Sequence, residues 1–269
     1  MTRVNFFPIK SLPLMVPHRI HQIWFQGEKH LPQKYFRYQQ SWKTHHPSWS
    51  YQLWDQELIE RFLSPDELPL YSSLPLMIQK IDFAKYVILR KLGGVYVDMD
   101  MECLRPLDPL FSDSAKVYLS SLPFSGLPLL ILTDFSYSDG PFYNNAFLAS
   151  VPSYRLWTDL LHEMKKALQR KWFTRDLYVN HTTGPSLLTK VVRSGNYEIK
   201  VFPPHFFEPC DKYHFDKCDL SKSYAVHYYD NTWMSSPMKF VSFLYYHWTS
   251  VVFTFLLLLV LVCLILLPR

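Results

Sequence analysis

The sequence predicts an α/β domain built on a mostly parallel sheet, and three observations predict it. Short apolar stretches rich in strand formers alternate with helical patterns along the chain. A length of 269 residues is enough for one large domain with a substantial core. The stretch Leu92-Gly93-Gly94-Val95-Tyr96-Val97-Asp98-Met99-Asp100 reads as a helix stop, a buried strand and an acidic pair at the strand's carboxyl end. In open α/β sheets, ligands sit at that end.

Taken in order, residues 20–25 read as the first strand through apolar Ile23, Trp24 and Phe25. Residues 32–45 follow as a helix, 51–54 alternate as a second strand, and 56–63 are helical. Residues 76–92 carry the clearest helical pattern, with Met77, Ile81, Ala84 and Ile88 on one apolar stripe. Asp82, Lys85 and Tyr86 then share another face. Residues 116–119 and 129–132 read as strands. Residues 153–171 form a helix with Ser153 as its candidate cap. Thr182-Thr183-Gly184-Pro185 starts a helix through Val192, and 198–202 and 224–229 are short late strands.

An Asp-x-Asp triplet alone is a weak signal, since most are solvated turns. Here Val95, Tyr96 and Val97 have high strand propensity, and Gly93-Gly94 allow a tight turn into the strand. Side chains two apart on a strand point to the same side, so Asp98 and Asp100 can share one divalent cation. Without a counter-cation, two such carboxylates repel each other. That cation can hold a diphosphate, which suits a nucleoside diphosphate leaving group. A phosphatase-type Asp-x-Asp with a nucleophilic first Asp is the competing chemistry. The continuation Met101-Glu102 departs from the Thr or Val two residues on that such sites carry.

The net charge of +5 is modest and no basic run is present, so no nucleic-acid partner is expected. Aromatic residues make up 17 % of the chain, and most are read as core. Of the four cysteines, Cys210 and Cys218 are the plausible partners, and no metal-binding spacing occurs among them. Residues 248–267 contain no charge and are rich in Leu, Val and Phe. A helix of that length spans about 30 Å, the thickness of a bilayer core. Tyr245, Tyr246 and Trp248 stand at its start, as interfacial aromatics do. Residues 1–17 have no signal-peptide pattern, so a single C-terminal membrane span is expected. Lys239 before the run and Arg269 after it give no charge asymmetry that assigns the sides. Asn180-His181-Thr182 is a glycosylation sequon. The expected division is a catalytic domain over 1–236 and a juxtamembrane segment with the membrane helix over 237–269.

The strongest block is Asp82-Phe83-Ala84-Lys85-Tyr86-Val87-Ile88-Leu89 followed by Gly93 through Asp100. It is accompanied by Val16-Pro17-His18-Arg19-Ile20-His21-Gln22-Ile23-Trp24, Tyr51-Gln52-Leu53-Trp54-Asp55, Thr183-Gly184-Pro185 and His227 through Trp233. Together these resemble the glycosyltransferases that carry the Asp-x-Asp sugar-binding region. That group, glycosyltransferase family 32, includes yeast initiating mannosyltransferases and inositol phosphoceramide mannosyltransferases. The resemblance implies a GT-A fold, a nucleotide-sugar donor, a Mn²⁺ or Mg²⁺ ion and transfer with retention. It implies that Asp98 and Asp100 are the catalytic pair on the metal, with His227 as a further ligand. It also implies donor contacts from Asp82, Lys85, Tyr86, Gly94, Trp24, Asn145, Thr232 and Trp233.

Two positions depart from the family pattern. Lys85 stands where Arg is usual, which keeps the charge but loses the planar fork. Thr232 stands where Ser is frequent, which keeps the hydroxyl. Asn144 and Asn145 are read either as sugar ligands or as turn residues. The expected reaction moves mannose from GDP-mannose onto a lipid of the inositol phosphoceramide type, in an endomembrane such as the Golgi. The alternatives are a UDP-sugar transferase acting on a glycan or protein, and a membrane-bound sugar-nucleotide-binding protein without turnover.

Overall fold

The computed structural model describes residues 15–123, 140–171, 174–210, 215, 218–247 and 252. The expected strand over 129–132 and the apolar run over 248–267, apart from Val252, lie outside them.

Eight strands are present among the described residues: β1 Arg19–Ile23, β2 Ser50–Trp54, β3 Gly94–Val97, β4 Met101–Cys103, β5 Val117–Ser121, β6 Tyr143–Ser150, β7 Ile199–Phe202 and β8 Ala225–His227. The helices are α1 Gln33–His45, α2 Gln56–Phe62, α3 Leu68–Ser73, α4 Met77–Leu92, α5 Arg155–Ala167, α6 Arg175–Thr182, α7 Pro185–Ser194, α8 Pro204–Phe207 and α9 Ser236–Tyr246. Six strands form one sheet in the order β2-β1-β3-β6-β5-β7, and β4 pairs with β8 in a second, two-stranded sheet. In the large sheet only β6 runs against its neighbours. The sheet is therefore mostly parallel, as the alternation of elements predicts.

Both faces are covered, which is why β3 is apolar and buried throughout. Tyr96 packs with Leu148 and helices α4, α5 and α7 on one face. Val95 and Val97 pack with Trp42 of α1, Phe147 and Phe207 on the other. His21 is enclosed among these residues. Burial pushes its imidazole down to about 4, and Nε2 bonds the Gly93 carbonyl at 3.0 Å.

The strand β6 is absent from the sequence reading. Its Tyr-Asn-Asn start looks like a turn, yet all eight of its residues are buried. Tertiary pairing on both edges overrides local preference here. Helix α6 is also additional, because its polar segment shows no apolar stripe. The helix over 153–171 is shorter than expected. Ser153 adopts φ 59 before the helix and does not cap it, and Tyr154 stands at the cap position. Of the proposed stripe on α4, Met77 is half exposed, while residues 82–89 are buried all round. A helix wedged between sheet and neighbours loses its amphipathic character.

Gly93 caps α4 at φ 61, and Gly94 follows at φ 92. A Cβ on Gly94 would stand 2.6 Å from the Arg19 carbonyl of neighbouring β1. Left-handed backbone and close strand approach both require glycine there. Cys210 and Cys218 form a disulfide, the pairing the cysteine positions suggest. No described helix is long and apolar enough to cross a membrane.

Candidate active site

Asp98 and Asp100 lie just past the carboxyl end of β3, but they are not on the strand itself. Residues 98–100 form the turn between β3 and β4, closed by the Met101 N–H on the Asp98 carbonyl at 3.2 Å. The turn, rather than strand alternation, sets the relation of the two carboxylates. It is held from three sides. The Asp98 N–H continues the β6 ladder to the Ala146 carbonyl at 2.9 Å. Gln22 donates to the Asp98 carbonyl, and the Tyr228 N–H reaches the Asp100 carbonyl at 2.9 Å.

His227 arrives through the small sheet, where it sits opposite Met101 in the β4–β8 register. Its Nε2 is 3.4 Å from Asp100 Oδ1. Ligand atoms of Asp98, Asp100 and His227 all lie within 4.8 Å of one another. Two carboxylates and an imidazole are a donor set that fits Mn²⁺ well and Mg²⁺ less well, since Mg²⁺ favours oxygen alone. The sequence region and the fold suggest dependence on a divalent metal.

The second nitrogen of His227 is also engaged. Nδ1 lies 2.8 Å from Glu208 Oε2, and Glu208 is buried in α8's cap position with Asn144 donating to its other oxygen. A carboxylate can only accept, so Nδ1 carries the proton and Nε2 faces the acidic pair. A carboxylate on the far nitrogen fixes the orientation of an imidazole whose near nitrogen could take a metal. Burial opposes charge on His227, but Glu208 and Asp100 outweigh it and raise its pKa well above the usual range, so a metal at Nε2 would have to displace a proton. Burial likewise pushes Asp100 up, while His227 and the Asp230 N–H bring its carboxyl below the ordinary value. Sequence reading misses Glu208, since a lone Glu far from any motif carries no signal. Glu208→Gln is expected to weaken Mn²⁺ binding about 10- to 100-fold, by isothermal titration, with a thermal melt reading separately what the lost buried charge costs the fold.

Beside the acidic turn, Lys85 forms the hub of a buried polar cluster. Its Nζ is 3.2 Å from both Asp82 Oδ1 and Asp98 Oδ1 and stands 4.6 Å above the Tyr96 ring. Burial opposes its charge, but the two aspartates outweigh burial and hold Lys85 above its ordinary value. Asp82 also accepts from Asn145 Nδ2 at 2.9 Å and Thr183 Oγ1 at 2.8 Å. Burial raises its carboxyl to about 6 against the pull of Lys85. Asp82 is thus enclosed and paired, not the exposed helix carboxylate that such a residue usually is.

These groups floor a cavity of about 280 Å³. Of the sequence-derived donor residues, Asp82, Lys85, Trp24, Asn145, Thr232 and Trp233 line it. Tyr86 and Gly94 do not. Tyr86 is fully buried behind the cavity, accepting from Asn145 and donating to the Thr183 carbonyl. Gly94 stands at the opposite end of β3 from Asp98, where its role is backbone approach. Asn144 and Asn145 are strand residues, not turn residues.

The loop after β8 folds over the turn because Tyr229 and Asn231 both take φ 48. This aims the Asp230 N–H at Asp100 Oδ2, 2.9 Å away, and anchors Asp230 Oδ2 to Lys34 and Tyr35. Thr232 and Trp233 are thereby carried to the cavity, and Arg175 donates to the Trp233 carbonyl. Asn180 of the sequon is 5 % exposed within α6, which leaves no room for a glycan. It lines the cavity instead, and its Nδ2 has no hydrogen-bond partner among the described residues, so a bound hydroxyl or carbonyl would satisfy it. The far wall is apolar, with Ile78, Ile81, Val179, Met234, Met238 and Val241. Met238, Val241 and Ser242 come from the segment that sequence reading assigns to the juxtamembrane region.

Comparison with known proteins finds likenesses in the region that carries the acidic turn and in the fold. The family model described as "Glycosyltransferase sugar-binding region containing DXD motif" matches residues 32–116. Inositol phosphoceramide mannosyltransferase 1 of Schizosaccharomyces pombe is 28 % identical over 198 residues, 70 % of this chain and 56 % of that protein. The initiation-specific alpha-1,6-mannosyltransferase of Candida albicans is 38 % identical over 126 residues, 44 % of this chain and 32 % of that protein. The chain thus spans little more than half the length of the first of these relatives. Mouse xyloside xylosyltransferase 1 superposes with a TM-score of 0.50 over 82 % of this chain and 100 % of that one, at 12 % identity, a likeness of fold alone. A DXD sugar-binding region and a glycosyltransferase-like fold are thus what this chain is similar to, and the sequence matches are to mannosyltransferases.

Proposed function

We propose that the chain is a metal-dependent, retaining glycosyltransferase. Its proposed reaction moves mannose from GDP-mannose onto a membrane lipid of the inositol phosphoceramide type. The observation that carries the reading is the convergence of Asp98, Asp100 and His227 within 4.8 Å of one another at a cavity floor. Those three residues would hold Mn²⁺ or Mg²⁺. When bound, the ion neutralises charge that develops on the departing diphosphate.

The chain's own residues do the rest. Lys85 and Asn145 fix Asp82 and Asp98 so that neither carboxylate swings when a donor enters. Among the described residues, Asp82 Oδ2 accepts only from Thr183 and keeps a lone pair that can accept a sugar hydroxyl. Thr232 and Trp233 lie where they can cover a diphosphate and limit water access. The apolar wall supports an acceptor with a hydrocarbon part, as does the likeness in sequence to inositol phosphoceramide mannosyltransferases. In this reading residues 1–236 supply the catalytic domain, 237–269 attach it to an endomembrane such as the Golgi, and 248–267 span the bilayer.

A screen of nucleotide sugars with purified protein and Mn²⁺, reading the released nucleoside diphosphate, tests the proposal. GDP from GDP-mannose, stimulated by vesicles carrying inositol phosphoceramide, is the expected result. UDP release with a glycan or protein acceptor would replace the specific version. No release from any donor would reduce the protein to a binding function.

A further inference from the structure

We infer that α9 is an interfacial helix whose outer face, Phe240 and Phe243, rests in a phospholipid bilayer surface and sets the cavity mouth at headgroup depth. The inference deepens the proposed lipid-acceptor reading by naming how such an acceptor reaches the site.

The argument begins with the two sides of α9. With about 3.6 residues per turn, Met238 and Ser242 share one face and Val241 flanks them. All three line the cavity. Phe240 and Phe243 fall on the other side of the same helix, and they are 61 % and 44 % exposed. Val241, at the rim between the two sides, is 40 % exposed while it lines the cavity. One helix therefore separates the site from an exposed apolar strip with two large aromatics, in the region of chain that approaches an uncharged run.

Three further facts select a lipid surface as the occupant. The chain continues from α9 directly into residues 248–267, which have no charge. No acidic residue follows Asp230 in the sequence, so nothing on this segment repels an anionic headgroup, and Lys239 of α9 favours one. Aromatic side chains beside a basic residue on a helix are the composition that lies in the plane of the interface. Ser235 caps α9 and is itself fastened to Asp176 by N–H and hydroxyl bonds, so the helix is held at a fixed attitude to the domain. A docked α9 then holds the cavity, on its Met238 and Val241 side, beside the bilayer surface, where an acceptor lipid can enter with part of its hydrocarbon against that wall.

The test uses the full chain in vesicles of phosphatidylcholine with a minor fraction of phosphatidylinositol. An environment-sensitive NBD label is placed on Phe240→Cys or Phe243→Cys, in a Cys263→Ser background that leaves only the buried Cys103 and the disulfide pair. Controls carry the label on Ser242→Cys, on the cavity side of α9, and on Lys165→Cys, at an exposed position of α5. Blue-shifted emission at 240 and 243, quenched by brominated phosphatidylcholine more strongly than at 242 and 165, is the expected result. Equal quenching at 240, 242 and 243 would assign the signal to the nearby apolar run and overturn the inference. A blue shift without quenching by the brominated lipid, the mark of a second copy or of the chain's own tail, would overturn it as well. The labels read docking without turnover. Nucleoside diphosphate release, measured separately, reads the proposed reaction, so either can fail alone.

Discussion

Asp100→Ala is expected to reduce Mn²⁺-dependent release of nucleoside diphosphate by on the order of a hundred- to a thousand-fold, the scale of losing one preorganised electrostatic group. Asp100 is the residue on which the site converges. One oxygen faces His227 and the other accepts the Asp230 N–H. Its removal takes away a proposed metal ligand and one contact that holds the loop carrying Thr232 and Trp233 over the cavity. The fold itself should survive, because Glu208 still neutralises His227 and the turn is held through backbone bonds. Circular dichroism and a thermal melt check that point beside the kinetics. Asp100→Asn retains an acceptor for the Asp230 N–H but removes the charge, so it separates loop placement from metal affinity. An alanine variant with normal turnover would remove the metal assignment and the proposed function with it.

Lys85→Met is expected to cost stability as well as activity. Breaking a buried ion pair by deleting one partner costs about 3–5 kcal/mol, because the remaining charge is left uncompensated. In a domain of this size that corresponds to a fall in melting temperature on the order of 10 °C. Two aspartates lose their shared cation at once. Asp82, already raised to about 6 by burial, then takes up a proton nearer neutrality. A carboxyl whose folded-state pKa is raised favours folding below its unfolded value and loses that advantage as pH rises through the folded one. The variant should therefore recover part of its stability as the pH is lowered through neutrality. Lys85→Arg restores the charge and should recover most of the stability, limited by the extra volume in an enclosed site. A melt of Lys85→Met that matches the parent would show that the cluster contributes little.

Much of this site was legible because its parts are local. Gly93-Gly94, the apolar run to Val97 and the two aspartates need only neighbours in sequence to make a helix stop, a strand and an acidic turn. The shared face of Asp82, Lys85 and Tyr86 follows from helical spacing, and the structure binds the three into one cluster. The resemblance of later blocks named His227, Thr232 and Trp233, which composition alone would not have singled out. Glu208, Asn180 and the strand nature of Asn144 and Asn145 were not legible. Glu208 and the two asparagines depend on partners many residues away, and the one motif that marks Asn180, the sequon, points away from its place in the cavity wall.

By itself, then, the sequence determined the α/β alternation, the carboxylate pair and the neighbours they share on α4, since hydrophobic period and turn chemistry act over a few residues. Only the tertiary structure decided that β6 enters the sheet antiparallel, that β8 carries His227 against Asp100, and that Glu208 backs His227. Only it decided that Gly94 serves the backbone, that Tyr86 lies behind the cavity and that α9 forms one of its walls. Those outcomes rest on which distant surfaces bury each other, and burial is a property of the assembled chain rather than of any segment within it.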